Sequence, residues 1–126
     1  MPVNNKPPMR DSGECVGAPA DGVVMIYATY PTREGALAVA RDLVERRLAA
    51  AVNLVPSVTS VFEWKGRLET ADEVLMMVKL PAEAASSAVE YIAAHHPYEV
   101  PGIITLPVLG GSGDYLAWVR GISSGQ

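Results

Sequence analysis

Residues 73–80 read EVLMMVKL, Glu73–Leu80. The run is rich in residues that fit a pleated strand and too short for a helix of its own, so it reads as a β-strand. Strand alternation sends Val74, Met76, Val78 and Leu80 to one side and Leu75 and Met77 to the other. Both sides are therefore apolar. An antiparallel sheet with one face in water would instead alternate apolar and polar residues.

Working outward, AVNLVPSVTSVFEWKG, Ala51–Gly66, is a long strand interrupted by Pro56. Proline cannot donate to a ladder, so a bend or bulge is expected there. Lys65-Gly66 predicts a tight hairpin turn joining this strand to the next. VVMIYATY, Val23–Tyr30, is a further buried strand. Thr32 can cap the helix that follows, and Ala36, Val39, Ala40, Leu43 and Leu48 recur at helical spacing between Arg33 and Ala50. On the other side of EVLMMVKL, Pro81 opens a second helix running to about His95, with Ala85, Ala88, Val89 and Ile92 as its apolar stripe. Pro97 stops it. GIITLPV, Gly102–Val108, is the fourth strand, and GGSGDYLAWV gives a glycine loop, a cap at Asp114 and a short closing helix.

The order β-α-β-β-α-β is the ferredoxin-like α+β arrangement, an antiparallel sheet with two helices on one face. Those helices leave the second face of EVLMMVKL uncovered. Exposed apolar patches of this kind mark interaction surfaces. The expectation is a closed homo-oligomer with the bare faces inside, in preference to a last helix folding back over the face, because that helix is too short to cover all of it.

The chain has 126 residues and a net charge of −4. One domain over residues 23–126 is expected, and the charge does not fit a nucleic-acid binder. Residues 1–22, rich in Pro, Gly and Asn, are expected to be a disordered tail. The single cysteine, Cys15, lies in that tail and permits no disulfide framework within the chain. With no apolar run long enough to span a bilayer and no apolar signal core, this points to a cytoplasmic protein without a membrane partner.

The stretch richest in chemical groups is HHPYEVPGI, His95–Ile103. Imidazoles suit Cu(II) and other divalent first-row ions, so His95 and His96 are the candidate metal ligands. Neighbouring residues at a helix end diverge, however, and the spacing alone reads first as histidines meeting the helix dipole. Trp64 and Lys65 at the hairpin, Glu73 and Lys79 on the third strand, and Tyr98 and Glu99 after the histidines form a second candidate set. They could meet at a junction between subunits and hold a small anionic ligand. No nucleophile elbow, phosphate loop, dinucleotide fingerprint or paired-cysteine motif is present, and a non-enzymatic protein is expected.

AAAVNLVPSVTSVFEWKG, EVLMMVKL, HHPYEVPGIITLPV and GDYLAWV together resemble the CutA proteins, the divalent-cation tolerance family, over about Val23 to Val119. The resemblance implies a ferredoxin-like protomer, a stable homotrimer with packed sheets and an architecture like the PII signalling proteins. It also implies copper tolerance and Cu(II) binding, with a cysteine at the end of the first strand and the two histidines as ligands. The histidines carry over as His95 and His96. The cysteine position falls at about Ala28, and a second common family cysteine is Ala51 here. A site without thiolates is left with imidazole and carboxylate, which suits Cu(II) or Zn(II) better than Cu(I). The alternative reading is a PII-like trimeric signalling protein that binds a small anion between subunits.

Overall fold

The computed structural model describes residues 22–122. The expected tail, apart from Gly22, and Cys15 with it, lie outside the described residues. The elements are β1 (Val23–Tyr30), α1 (Arg33–Glu45), β2 (Ala51–Trp64), β3 (Arg67–Pro81), α2 (Ala85–Ala94), β4 (Ile103–Pro107) and α3 (Gly113–Gly121). The sheet order is β2-β3-β1-β4 and every neighbouring pair is antiparallel. This is the ferredoxin-like α+β fold, with β3 inserted between β1 and β2.

One face of the sheet makes the core. Ile26, Ala28 and Tyr30 of β1 and Met76, Val78 and Leu80 of β3 are fully buried with Ala36 and Leu43 of α1 and Ala88 and Ile92 of α2. Both helices therefore lie on the even-numbered face of β1. Thr32 caps α1, its Oγ1 accepting from the Gly35 N–H at 3.1 Å.

Several element boundaries differ from the sequence reading. Helix α2 begins at Ala85 rather than Pro81, because Pro81 still pairs with Val23 as the last residue of β3 and a 3₁₀ turn at Ala82–Ala84 intervenes. Helix α1 stops at Glu45 rather than Ala50. The Leu48 N–H donates to the Leu43 carbonyl and the Arg47 N–H to that of Val44, a Schellman closure. Its left-handed position is filled by Arg47 (φ 61) where glycine is usual, so the stop carries no glycine signal. Strand β3 begins at Arg67, six residues before Glu73. The polar stretch RLETAD pairs with β2 from Trp64↔Arg67 onward, because ladder bonds are made by backbone and not by side chains. Helix α3 is capped by Ser112, whose Oγ accepts from the Tyr115 N–H at 3.3 Å, and Asp114 sits in its first turn instead.

The irregularity expected at Pro56 is present. The register runs Val55↔Leu75 and then Val58↔Glu73, two residues of β2 against one of β3. The bulge flips the parity of β2. Before it, Ala51, Asn53 and Val55 share a face with Lys79, Met77 and Leu75; after it, Val58, Ser60, Phe62 and Trp64 continue that face. Beyond Glu73 neither strand has a β1 partner, so β2 and β3 run on as a two-stranded arm. The arm ends in a two-residue turn with Lys65 at φ 53 and Gly66 at φ 81, the pair of positive angles that a tight hairpin requires.

The second face carries Met25, Tyr27 and Thr29 of β1, Leu75, Met77 and Lys79 of β3, and Ile104 and Leu106 of β4. Tyr27, Val55 and Ile104 are exposed on it. Helix α3 covers only one corner. Val23 and Val24 point to opposite faces; Val24 belongs to the main core, whereas Val23 packs with Leu116 and Val119 of α3. A glycine-to-valine change tests the turn. Gly66→Val places a β-branched residue in the left-handed region with no neighbour within 4 Å to blame. It should lower stability in chemical denaturation by about 1–2 kcal/mol, whereas Gly66→Asn should cost less.

Candidate functional site

The segment between α2 and β4 turns on His95–Gly102. Helix α2 closes at His95, whose N–H reaches the carbonyls of Tyr91 and Ile92 at 3.2 Å each. The two histidines then part. The His95 ring stacks on Tyr91 (centroids 4.0 Å apart) and its Nδ1 lies 2.9 Å from the Tyr91 carbonyl. A carbonyl can only accept, so Nδ1 carries the proton and Nε2 keeps its lone pair. His95 is exposed and lines an open groove of about 450 Å³ between the end of α1 and α2.

His96 points inward. Its Nδ1 accepts from the Tyr98 N–H at 3.2 Å, and its Nε2 lies 2.6 Å from the Thr29 carbonyl. These partners place the proton on Nε2 and use both nitrogens. The ring stacks on Tyr30, centroids 4.3 Å apart, and tilts against Tyr98 at 5.0 Å. Tyr30 is fully buried and its hydroxyl has no hydrogen-bond partner among the described residues. Burial pushes the Tyr30 phenol well above its ordinary pKa.

Tyr98 carries the network to β3. Its hydroxyl donates to Glu73 Oε2 at 2.6 Å, and Ser60 Oγ donates to Glu73 Oε1, also at 2.6 Å. Glu73 is buried, 7% exposed. A carboxylate out of water needs compensation, and here it comes from two neutral hydroxyls. Ser60 reaches it because the bulge has put Ser60 on the Glu73 face, diagonal to it across the ladder. Burial, then the hydrogen bond to Glu73 and its charge, push the Tyr98 phenol up to about 12.

Of the second candidate set, the structure brings together Glu73 with Tyr98, and separately Trp64 with its neighbour Lys65. Lys79 lies six residues along β3 from Glu73, about 20 Å away at 3.3 Å per residue, and donates to Asn53 Oδ1. Trp64 and Lys65 are at the far end of the arm, a similar distance in the other direction, with Lys65 Nζ 5.7 Å from the Trp64 ring centroid. Glu99 is exposed. The sequence reading missed Ser60, Thr29 and Tyr30. Ser60 could be found only through the parity flip at Pro56, and Thr29 acts through its carbonyl, which no side-chain pattern reveals. It also missed the outer cluster: Tyr91 donates to Asp42 Oδ2 at 2.6 Å while the Arg46 guanidinium sits 4.8 Å from its ring centroid.

For a metal ion, one chain supplies a single open imidazole nitrogen, His95 Nε2. No group of three or more His, Cys, Asp or Glu side chains placed to hold an ion occurs among the described residues. The described residues of one chain do not form a chelating set.

Removing the Tyr98 hydroxyl tests the inner network. Tyr98→Phe leaves Glu73 Oε2 without its donor and should cost about 1–3 kcal/mol. Folding raises the Tyr98 pKa from 10.0 to about 12. The folded chain then holds a proton that the unfolded chain releases, so this contribution is intact below pH 10 and is lost as pH rises from 10 to about 12. Denaturation curves across that range should fall less steeply with pH in Tyr98→Phe than in the parent.

The sequence profile of the CutA1 divalent ion tolerance protein family matches residues 24–121. Protein CutA of Mus musculus is 41% identical over 122 residues, covering 97% of this chain and 67% of its own length. The divalent-cation tolerance protein CutA of Thermus thermophilus is 42% identical over 96 residues, 76% of this chain and 93% of its own. The solved structure of the Thermus thermophilus divalent cation tolerance protein superposes with a TM-score of 0.76 at 40% identity, covering 79% of this chain and 96% of that one. That of CutA1 from the psychrotrophic bacterium Shewanella sp. SIB1 gives 0.79 at 32% identity, covering 83% and 96%. With a profile match over nearly all of the described residues and relatives at this identity, the chain belongs to the CutA1 divalent ion tolerance family.

Proposed function

We propose that this chain acts as a closed, non-enzymatic homotrimer in divalent-cation tolerance, working in the cytoplasm and contacting Cu(II) or another divalent ion through His95. The observation that carries the assembly is the sheet's second face. Met25, Tyr27, Leu75, Met77, Ile104 and Leu106 form an apolar lattice that α3 covers only at the Val23 corner. The bulge extends the same lattice along the arm through Phe62 and Trp64, 42% and 40% exposed. A face this apolar is buried by association, and copies of the same chain offer the matching surface. The number three follows the family resemblance.

The metal reading rests on the family's description as divalent ion tolerance proteins and on the open Nε2 of His95. Further donors would come from another copy or from solvent. His96 serves structure instead, since an ion there would have to displace either the Thr29 carbonyl or the Tyr98 N–H. The anion-binding alternative has no comparable observation behind it, because its residues are spread over the length of β3 and the arm.

Light scattering at micromolar concentration should return the mass of a trimer; a monomer mass would overturn the assembly. Met77→Asp, which sets a charge into the covered face, should dissociate it or make it insoluble. In Cu(II) titrations at neutral pH, His95→Ala should lose most of the parent's affinity. His96→Ala should keep it while melting at lower temperature. Binding should weaken on acidification, since a protonated imidazole has no lone pair to give. Equal affinity in His95→Ala and the parent would remove His95 as the contact.

A further inference from the structure

The second face of the sheet is almost without charge. Over the part built by β1, β4, β2 up to the bulge and β3 from Glu73 onward, its residues are Val23, Met25, Tyr27, Thr29, Ala51, Asn53, Val55, Leu75, Met77, Pro81, Ile104 and Leu106, together with one carboxylate and one cation. The carboxylate is Glu73 and the cation is Lys79. Both lie on β3, Glu73 at mid-strand where the arm begins and Lys79 near its end, with Leu75 and Met77 between them on the same face.

Among the described residues, neither has an opposite charge as its hydrogen-bond partner. Glu73 is buried and takes hydroxyl donors on both oxygens, from Ser60 and Tyr98. Lys79 is partly exposed and donates to the neutral amide of Asn53. Six residues of extended strand hold the two about 20 Å apart, so they cannot pair within one chain.

Covering the apolar lattice between them would strip water from Lys79 and complete the burial of Glu73. An ammonium or a carboxylate dried without a counter-charge costs several kcal/mol, so an interface that closes over both must pair them. A second copy of this chain carries the complementary charge in the same apolar setting. We infer that Glu73 of one copy pairs with Lys79 of the next, so that each chain in the closed assembly gives one carboxylate and receives one ammonium. The pairing rests on the assembly proposed above and gives it a polarity. Each face acts once as acid and once as base, which is the head-to-tail relation that closes a ring. A misplaced copy would leave two buried charges unpaired, so the pair also fixes the register of the apolar contact.

A double-mutant cycle tests it, with Glu73→Gln, Lys79→Met and the double variant compared to the parent. The readout is the dissociation of the assembly with dilution, by sedimentation or light scattering, and folding is followed by circular dichroism. Each single change should weaken assembly about tenfold or more. The double variant should be weakened by much less than the product of the two, since it leaves no charge unpaired. Independent, multiplicative effects, or singles that assemble like the parent, would overturn the pair while leaving the trimer standing. A parent that is monomeric would instead overturn the assembly, and the pair with it. Because Glu73→Gln also touches the Tyr98 and Ser60 bonds, Lys79→Glu gives a second measurement on a partly exposed residue. It should dissociate a folded chain by setting two carboxylates together, and assembly equal to the parent would overturn the inference.

Discussion

The structure depends on strand alternation in β3. Successive side chains leave the backbone on opposite sides, and in this strand both sides are apolar. Val74, Met76, Val78 and Leu80 make the core against α1 and α2. Leu75 and Met77 have no helix to meet. The fold can satisfy one face with the elements it has, and α3 reaches only the corner at Val23. The uncovered remainder is the feature from which the assembly reading follows.

Two irregularities adapt that sheet. The bulge at Pro56-Ser57 lets β2 change parity while keeping its ladder with β3. As a result Phe62 and Trp64 extend the open face, and Ser60 comes to the Glu73 carboxylate. The second irregularity is the turn from α2 into β4. Proline at position 97 ends any continuation of the helix, and His96 then folds under it to bridge the Thr29 carbonyl and the Tyr98 N–H. That bridge aims the Tyr98 hydroxyl at Glu73. The loop thus ties the end of β1 to the base of the arm, through one imidazole, one phenol and one buried carboxylate.

This arrangement divides the labour of the adjacent histidines. His95 faces water, with one nitrogen fixed by the helix and the other open. His96 is held on both nitrogens and stacked on a buried tyrosine. Residues that are neighbours in sequence, and chemically identical, have separate tasks because a helix C-terminus turns the backbone between them.

The sequence by itself determined the element order, the hairpin at Lys65-Gly66, the cap at Thr32, the bulge near Pro56 and the doubled apolarity of β3. Each of these is set by local backbone preference or by residue periodicity, which act over a few positions. It also singled out Glu73 and Tyr98 as chemical groups. Only the tertiary structure decided that these two meet. They stand 25 positions apart, across a strand end, a helix and a turn, and the approach depends on how those pack. The same holds for Ser60, whose side became readable only with the register of the bulge, and for Thr29, which contributes a carbonyl that every residue possesses. The end of α1 escaped the sequence because an arginine took the left-handed position that glycine usually marks. The length of β3 escaped it because backbone hydrogen bonds extended the ladder through a polar stretch that periodicity does not reach.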